Sequence, residues 1–230
     1  MNEFVSNSLF FGVILSLASY WLGVAAKKKF KIFLFNPLLV AITLTIIVLL
    51  ASGIEYSEYN KSAKYLSYLL TPATVCLAIP LYEQYKLLKK NFTAIMVGIA
   101  SGVFTSLTTI FLMALMFNLN HSEYITLLPK SITTAIGIGL SQELEGYVSI
   151  TVASIMITGL FGNIAGEVIC KIFGIKHPIA RGIAIGTSTH VMGTAKALQM
   201  GEIEGAMSSL SIAVAGCMTV AGAILYSTFI

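Results

Sequence analysis

Aspartate is absent from this chain of 230 residues, and all ten acidic side chains are glutamates. Chemistry that needs paired aspartates, such as intramembrane aspartyl proteolysis, has no residues to work with. Charge as a whole is scarce, at 10% of residues against about 25% in a soluble domain. With 57% hydrophobic residues and a mean hydropathy of +0.87, the chain cannot cover its surface with polar groups. It is read as an integral membrane protein. No run alternates as a membrane β-barrel strand does, so the expected fold is all-α. Cysteine is also sparse: Cys76, Cys170 and Cys217 lie far apart in apolar segments, without metal-ligand spacing. They are expected to be packed free thiols. The chain has no Gly-x-Ser-x-Gly elbow, no His-Glu-x-x-His zinc motif and no P-loop. No enzyme activity, metal or cofactor is expected. Glu3 stands where a signal peptide would carry a basic region, and no small-residue cleavage site follows the first apolar run, so the first helix is expected to be retained. The formal net charge of +4 sits in short loops and points to no nucleic acid.

Apolar segments occupy about 8–26, 34–52, 65–82, 91–117, 126–145, 147–170, 178–199 and 205–229. Several approach the roughly 20 residues of a spanning helix. This predicts one polytopic membrane domain over 1–230 with about 7–8 transmembrane helices. The third segment contains Pro72 and Pro80, and the fifth and seventh carry Gly, Ser, Thr and charge. Loop charge sets the orientation. The cluster Lys27–Lys31 is expected in the cytoplasm, which puts the N-terminus outside. Lys86, Lys89 and Lys90 are then inside, and so is the group Lys171, Lys176, His177 and Arg181. An even number of crossings must therefore separate Lys90 from Lys171, yet three segments lie between them. The segment 126–145 is expected to be re-entrant, in preference to eight full spans with one violation of the charge rule. Irregular backbone at membrane depth must line a cavity or be buried in protein. A weak repeat relates Leu69–Val75 to Leu127–Ile132, and polar segments follow long helices at opposite polarity, as in inverted-repeat transporters.

Two stretches place ionisable groups at membrane depth, where a charge costs about 2.5–3.5 kcal/mol on insertion scales. In 127–134, Pro129 is expected to open a helix. Lys130, Ser131, Thr133 and Thr134 would then lie near its positive end, a setting suited to a carboxylate. The alternative is a lysine that snorkels to the interface. In 186–196, Gly186 and Gly193 let the helix unwind. Thr187, Ser188 and Thr194 supply hydroxyls, His190 titrates near neutrality, and Lys196 adds a cation. The alternative is a close helix contact with a packed histidine. Thr71 and Thr74 beside Pro72 are a further candidate pair, with a simple kink as the competing reading. Glu167 is expected to pair with the basic loop, and Arg181 to anchor an interface.

Leu70-Thr71-Pro72-Ala73-Thr74 with Ala78-Ile79-Pro80-Leu81-Tyr82 resembles the LrgB/CidB family. So do Leu128–Thr134, Ala180-Arg181-Gly182, Gly186–Ala195 and Glu204–Leu210, in order along nearly the whole chain. Two departures are Ala135–Gly139, which lacks a proline, and Leu144-Glu145-Gly146, where relatives often show Gly-Gly. The resemblance implies two functions. One is an antiholin- or holin-like regulator of murein hydrolase activity and lysis, acting with a small LrgA/CidA-like membrane protein. The other is transport of small monocarboxylates, of the pyruvate, glycolate or glycerate type. A bacterial plasma-membrane location is implied; proton or sodium coupling and homo-oligomerisation stay open. Transport is the preferred expectation, because it gives Lys130 and His190 a reason to lie at depth.

Overall fold

The computed structural model describes residue 8, residues 10–30 and residues 35–230, without the side chains of Leu70, Thr71 and Thr74. The expected binding residues Thr71 and Thr74 thus fall outside the described side chains. Among the described residues every regular element is helical, as the composition requires. The chain forms two compact units, Met1–Cys76 and Leu77–Ile230.

The first unit contains α1 (Phe11–Phe30), α2 (Pro37–Ser52), α3 (Tyr56–Ser67) and α4 (Leu70–Cys76). Asn36 starts α2 by accepting a bond from the Leu38 N–H at 2.9 Å, with Pro37 next; proline lacks a donor that would be unpaired there anyway. Gly53, with φ of 63°, ends the helix in the left-handed conformation. Helix α1 meets its neighbours through small residues. The Gly12 N–H donates to Ser62 Oγ at 2.7 Å on α3.

The second unit opens with α5 (Ala78–Glu83) and α6 (Tyr85–Lys90). Pro72 and Pro80 each fall in the first turn of a short helix, where a missing N–H is tolerated. The predicted third span is therefore divided into short pieces. Then come α7 (Phe92–Phe117), α8 (His121–Leu127), α9 (Thr134–Glu143), α10 (Val148–Ile172), α11 (Pro178–Met200) and α12 (Glu202–Tyr226), with a short 3-10 turn at Ser227–Phe229. Among the described residues three helices are long and apolar enough to cross a membrane: α7, α10, and α12 with its terminal turn. At 1.5 Å per residue each exceeds the roughly 30 Å of a hydrocarbon core.

Between these spans the chain doubles back twice. Asn118 ends α7 with φ of 51°, a conformation asparagine tolerates better than most residues. Asn120 and Glu123 then start α8 with a reciprocal capping box. Residues 128–133 turn, and α9 returns. The return is fixed by Thr126: its hydroxyl accepts from the Tyr147 N–H at 2.8 Å, and its carbonyl accepts from Thr151 Oγ1 at 3.0 Å. This first hairpin therefore begins at the end of α7 and closes at the start of α10. The re-entrant expectation for 126–145 matches this path. The hairpin starts earlier, at His121, because its first arm opens with polar capping residues that an apolar window omits.

The second reversal lies inside α11. Thr189 (φ −139°, ψ 15°) and His190 (φ 44°, ψ −143°) are not helical. In a straight helix Ile185 and Gly193 would lie about 12 Å apart along the axis. Here a Cβ on Gly193 would stand 2.9 Å from Ile185 Cγ2. The two arms, 178–188 and 191–200, lie side by side, and both pack on the same stretch of α12. A Cβ on Gly186 would meet the Ser208 carbonyl at 2.5 Å, and Thr194 Oγ1 bonds Ser208 Oγ at 2.7 Å. A Cβ on Gly182 would lie 2.5 Å from the Glu204 carbonyl, next to the Gly205–Leu198 contact. Small residues at these points let the backbones approach closely. The second hairpin begins and ends beside the start of α12, at the opposite end of the bundle from the first. A long helix followed by a hairpin thus occurs twice, with reversed direction.

Candidate functional site

Both hairpin tips reach the same face of α7, and a cavity of about 420 Å³ opens there. From the first hairpin come Lys130 and Ser131, and from the second Thr187 and Ser188. Helix α7 supplies Ser101, Thr105, Ser106 and Thr109. The volume suits a small ligand.

Lys130 lies in the turn before α9, not in the first turn of a helix opened by Pro129 as the sequence suggested. Helix α9 starts at Thr134 with Thr133 as its cap. The Lys130 N–H instead bonds the Leu127 carbonyl, and the Ile132 N–H bonds the Pro129 carbonyl. These successive turns bring the half-buried ammonium to the cavity, where Nζ donates to Ser131 Oγ at 3.1 Å. Ser131 Oγ stands 3.4 Å from Ser106 Oγ. Among the described residues no carboxylate pairs with Lys130. The cavity therefore holds a cation with hydroxyl neighbours and no counterion. It can accept a small anion by charge and hydrogen bonds together.

The hydroxyls have a second feature in common. Thr105 and Thr109 donate to carbonyls four residues back, each at 2.7 Å, and Ser188 does the same at 2.6 Å. Their protons satisfy the helix, as is usual for Ser and Thr within helices. In this arrangement only their oxygen lone pairs face a ligand or water; each hydroxyl bonds an anion only by rotating its one proton away from the helix carbonyl. The α7 residues escaped the sequence reading. The signal for them was the spacing of Ser101, Thr105 and Thr109, four apart on one face of an otherwise apolar helix.

The remaining sequence candidates have other placements. Thr133 and Thr134 begin α9 and do not line the cavity. Gly193 packs against Thr189 and Ile185 inside the second hairpin. Thr194 is fully buried and joins that hairpin to α12 through Ser208. His190 is buried with its ring against Gly159 of α10, and its Nε2 donates to the Ile155 carbonyl at 3.0 Å. Asn163 Nδ2 donates to the Met192 carbonyl at 2.7 Å. These contacts hold a tip whose backbone is strained by about 1–3 kcal/mol. His190 positions the tip that carries Thr187 and Ser188. It does not line the cavity.

Lys196 differs most from expectation. Its Nζ lies 2.6 Å from Glu167 Oε2, while Lys171 takes the other oxygen at 2.7 Å. Arg181 Nη1 stands 3.8 Å from Glu204 Oε1, and its Nε donates to the Ile175 carbonyl. Both arms of the second hairpin are thus tied to neighbouring helices by ion pairs. Lys196→Gln should keep uptake of a transported anion within about twofold and cost roughly 1 kcal/mol or less in stability. Thermal melting in detergent alongside an uptake assay checks this; lost uptake in well-folded Lys196→Gln would return Lys196 to the binding site.

Cys170 is buried, whereas Cys76 and Cys217 are exposed on their helices, which corrects the expectation of three packed thiols. Among the described residues no three His, Cys, Asp or Glu gather as a metal site.

A family model described as the LrgB-like family matches residues 16–229. The chain is similar to "Antiholin-like protein LrgB" of Bacillus subtilis (strain 168), at 38% identity over 93% of each chain. It is similar to proteins of the same name from Bacillus cereus (strain B4264) and Bacillus anthracis (strain CDC 684 / NRRL 3495), at 36% identity over 96% of each chain. No solved structure matches.

Proposed function

The chain belongs to the LrgB-like family, and from that premise we propose that it is an antiholin-like membrane protein whose molecular work is to carry small monocarboxylates. The antiholin-like role is the reading that the relatives' names support. The observation that supports carriage is Lys130, a cation in a hydroxyl-lined cavity between two hairpin tips, without a carboxylate partner among the described residues. A scaffold that only bound a regulatory partner would have no use for it. The two roles are compatible, because a protein that carries carboxylates can also act in an antiholin-like role.

In this proposal the protein is multi-pass in the bacterial plasma membrane and acts with a small LrgA/CidA-like protein. It catalyses no bond change. The basic ends of α6 and α10 face the cytoplasm, as the positive-inside rule directs. The first hairpin then dips in from outside and the second from the cytoplasm. Pyruvate, glycolate and glycerate are the substrates to try. Lys130 neutralises the carboxylate and the Ser131 hydroxyl donates to it, while Thr187 and Ser188 join by rotating their protons away from the Ile183 and Ala184 carbonyls.

Uptake of each labelled acid into liposomes, with and without the LrgA/CidA-like protein, tests this. Saturable uptake of at least one is the expected result. No uptake of any, with a lysis phenotype retained in cells, would leave the antiholin-like role standing alone and make the cavity a packing feature.

A further inference from the structure

A second cavity, about 560 Å³, adjoins the first. Four residues line both: Ser101 and Gly102 of α7, and Ala184 and Thr187 of the second hairpin's first arm. The second cavity continues along the same two helices away from Lys130. It passes Gly98 and Ile183 and ends at Ala94, Ala180, Asn91 and His177. Asn91 precedes the first residue of α7, and His177 precedes the first residue of α11. The cavity therefore reaches the end of the bundle at which the second hairpin begins. On α7 the lining of the two cavities stops at Thr109.

We infer that the cleft between α7 and the first arm of the second hairpin is the access path to Lys130, with its mouth at Asn91 and His177. This rests on the carrier reading above. Three observations support it. The glycines of α7 face this cleft: a Cβ on Gly98 would meet only Ile183, at 3.5 Å, so width is kept by the absence of side chains. The neck lies at Gly102, where a Cβ would stand 3.1 Å from Thr187 Oγ1. The mouth is flanked in sequence by Lys89, Lys90 and Lys176, cations that draw anions toward it. Thr187 is thus both a wall of the path and part of the anion site.

Single cysteines in a background of Cys76→Ser, Cys170→Ala and Cys217→Ser test the path, with a membrane-impermeant anionic thiosulfonate as the probe. Ala94→Cys and Ser101→Cys should label from the cytoplasmic face of inside-out vesicles. Labelled Ser101→Cys should lose pyruvate uptake by about tenfold or more. Excess pyruvate should slow its labelling, a readout that holds even if the variant carries poorly. Val97→Cys, exposed outside the cavity linings, should keep full uptake under the same treatment. Full uptake after complete modification of Ser101→Cys, or labelling of Ala94→Cys from the outer face only, would overturn the path. If Lys130→Ala were still inactive in that case, the anion site would stand and only the route would fall. Normal uptake by Lys130→Ala would remove the anion site itself.

Discussion

Lys130→Ala should abolish carboxylate uptake while leaving insertion and melting almost unchanged. A hydrogen bond to a charged group contributes about 1.5–3 kcal/mol, which corresponds to roughly ten- to a hundredfold in affinity. Moving an anion to membrane depth without a counter-charge adds a further cost, so the loss should lie at the upper end of that range. The folded protein, in contrast, loses little. Lys130 pairs with no carboxylate among the described residues and bonds only the adjacent Ser131. Its removal leaves no buried charge without a partner, which is the usual source of large destabilisation. Lys130→Arg should recover part of the uptake, because the charge returns on a wider, planar group. Uptake by proteoliposomes at matched protein content, with melting of each variant, is the measurement. Normal uptake by Lys130→Ala would sink the carrier assignment.

The contrast between Lys130 and Lys196 shows how far the sequence could be read. Both are lysines in polar interruptions of apolar segments, and composition treats them alike. What separates them is Glu167, 29 residues before Lys196 in the chain and 2.6 Å away in space. No local pattern reports such a contact. The all-helical fold and the reversal after α7 were legible, because length, hydropathy and loop charge bear on them directly. The reversal inside 178–200 was legible only as a glycine- and threonine-rich weakness. Whether such a stretch unwinds, kinks or turns back depends on what it packs against, here the small residues of α10 and α12. His190 illustrates the same limit. A histidine at membrane depth suggests proton chemistry, but the ring is committed to the Ile155 carbonyl and to the space above Gly159. The α7 hydroxyls were missed for the opposite reason. Serines and threonines that bond back to their own helix are common in spans, and only the cavity beside them gives them a use.

Gly162→Val should have the second large effect, and it should separate tip position from anion charge. Any Cβ on Gly162 would overlap the side chain of Thr189, at the turn of the second hairpin. Neither side can yield easily. Thr189 is buried, with its hydroxyl bonded to the Ile185 carbonyl at 2.6 Å, and the adjoining His190 is fixed on Gly159. The tip must therefore move away from α10 and carry Thr187 and Ser188 with it. Overpacking of this kind costs about 1–3 kcal/mol, so melting should fall clearly. Uptake should fall as well, although Lys130 is untouched. Gly166→Ala is the internal control: its Cβ would meet Ile185 at 3.5 Å, an ordinary contact, and both melting and uptake should be retained. Gly162→Ala with Thr189→Gly should recover part of the loss, since the second change removes the atoms that collide. If Gly162→Val melted and carried pyruvate like the unaltered protein, the seating of the hairpin tip on α10 would be wrong, and the placement of Thr187 and Ser188 at the anion site would fall with it.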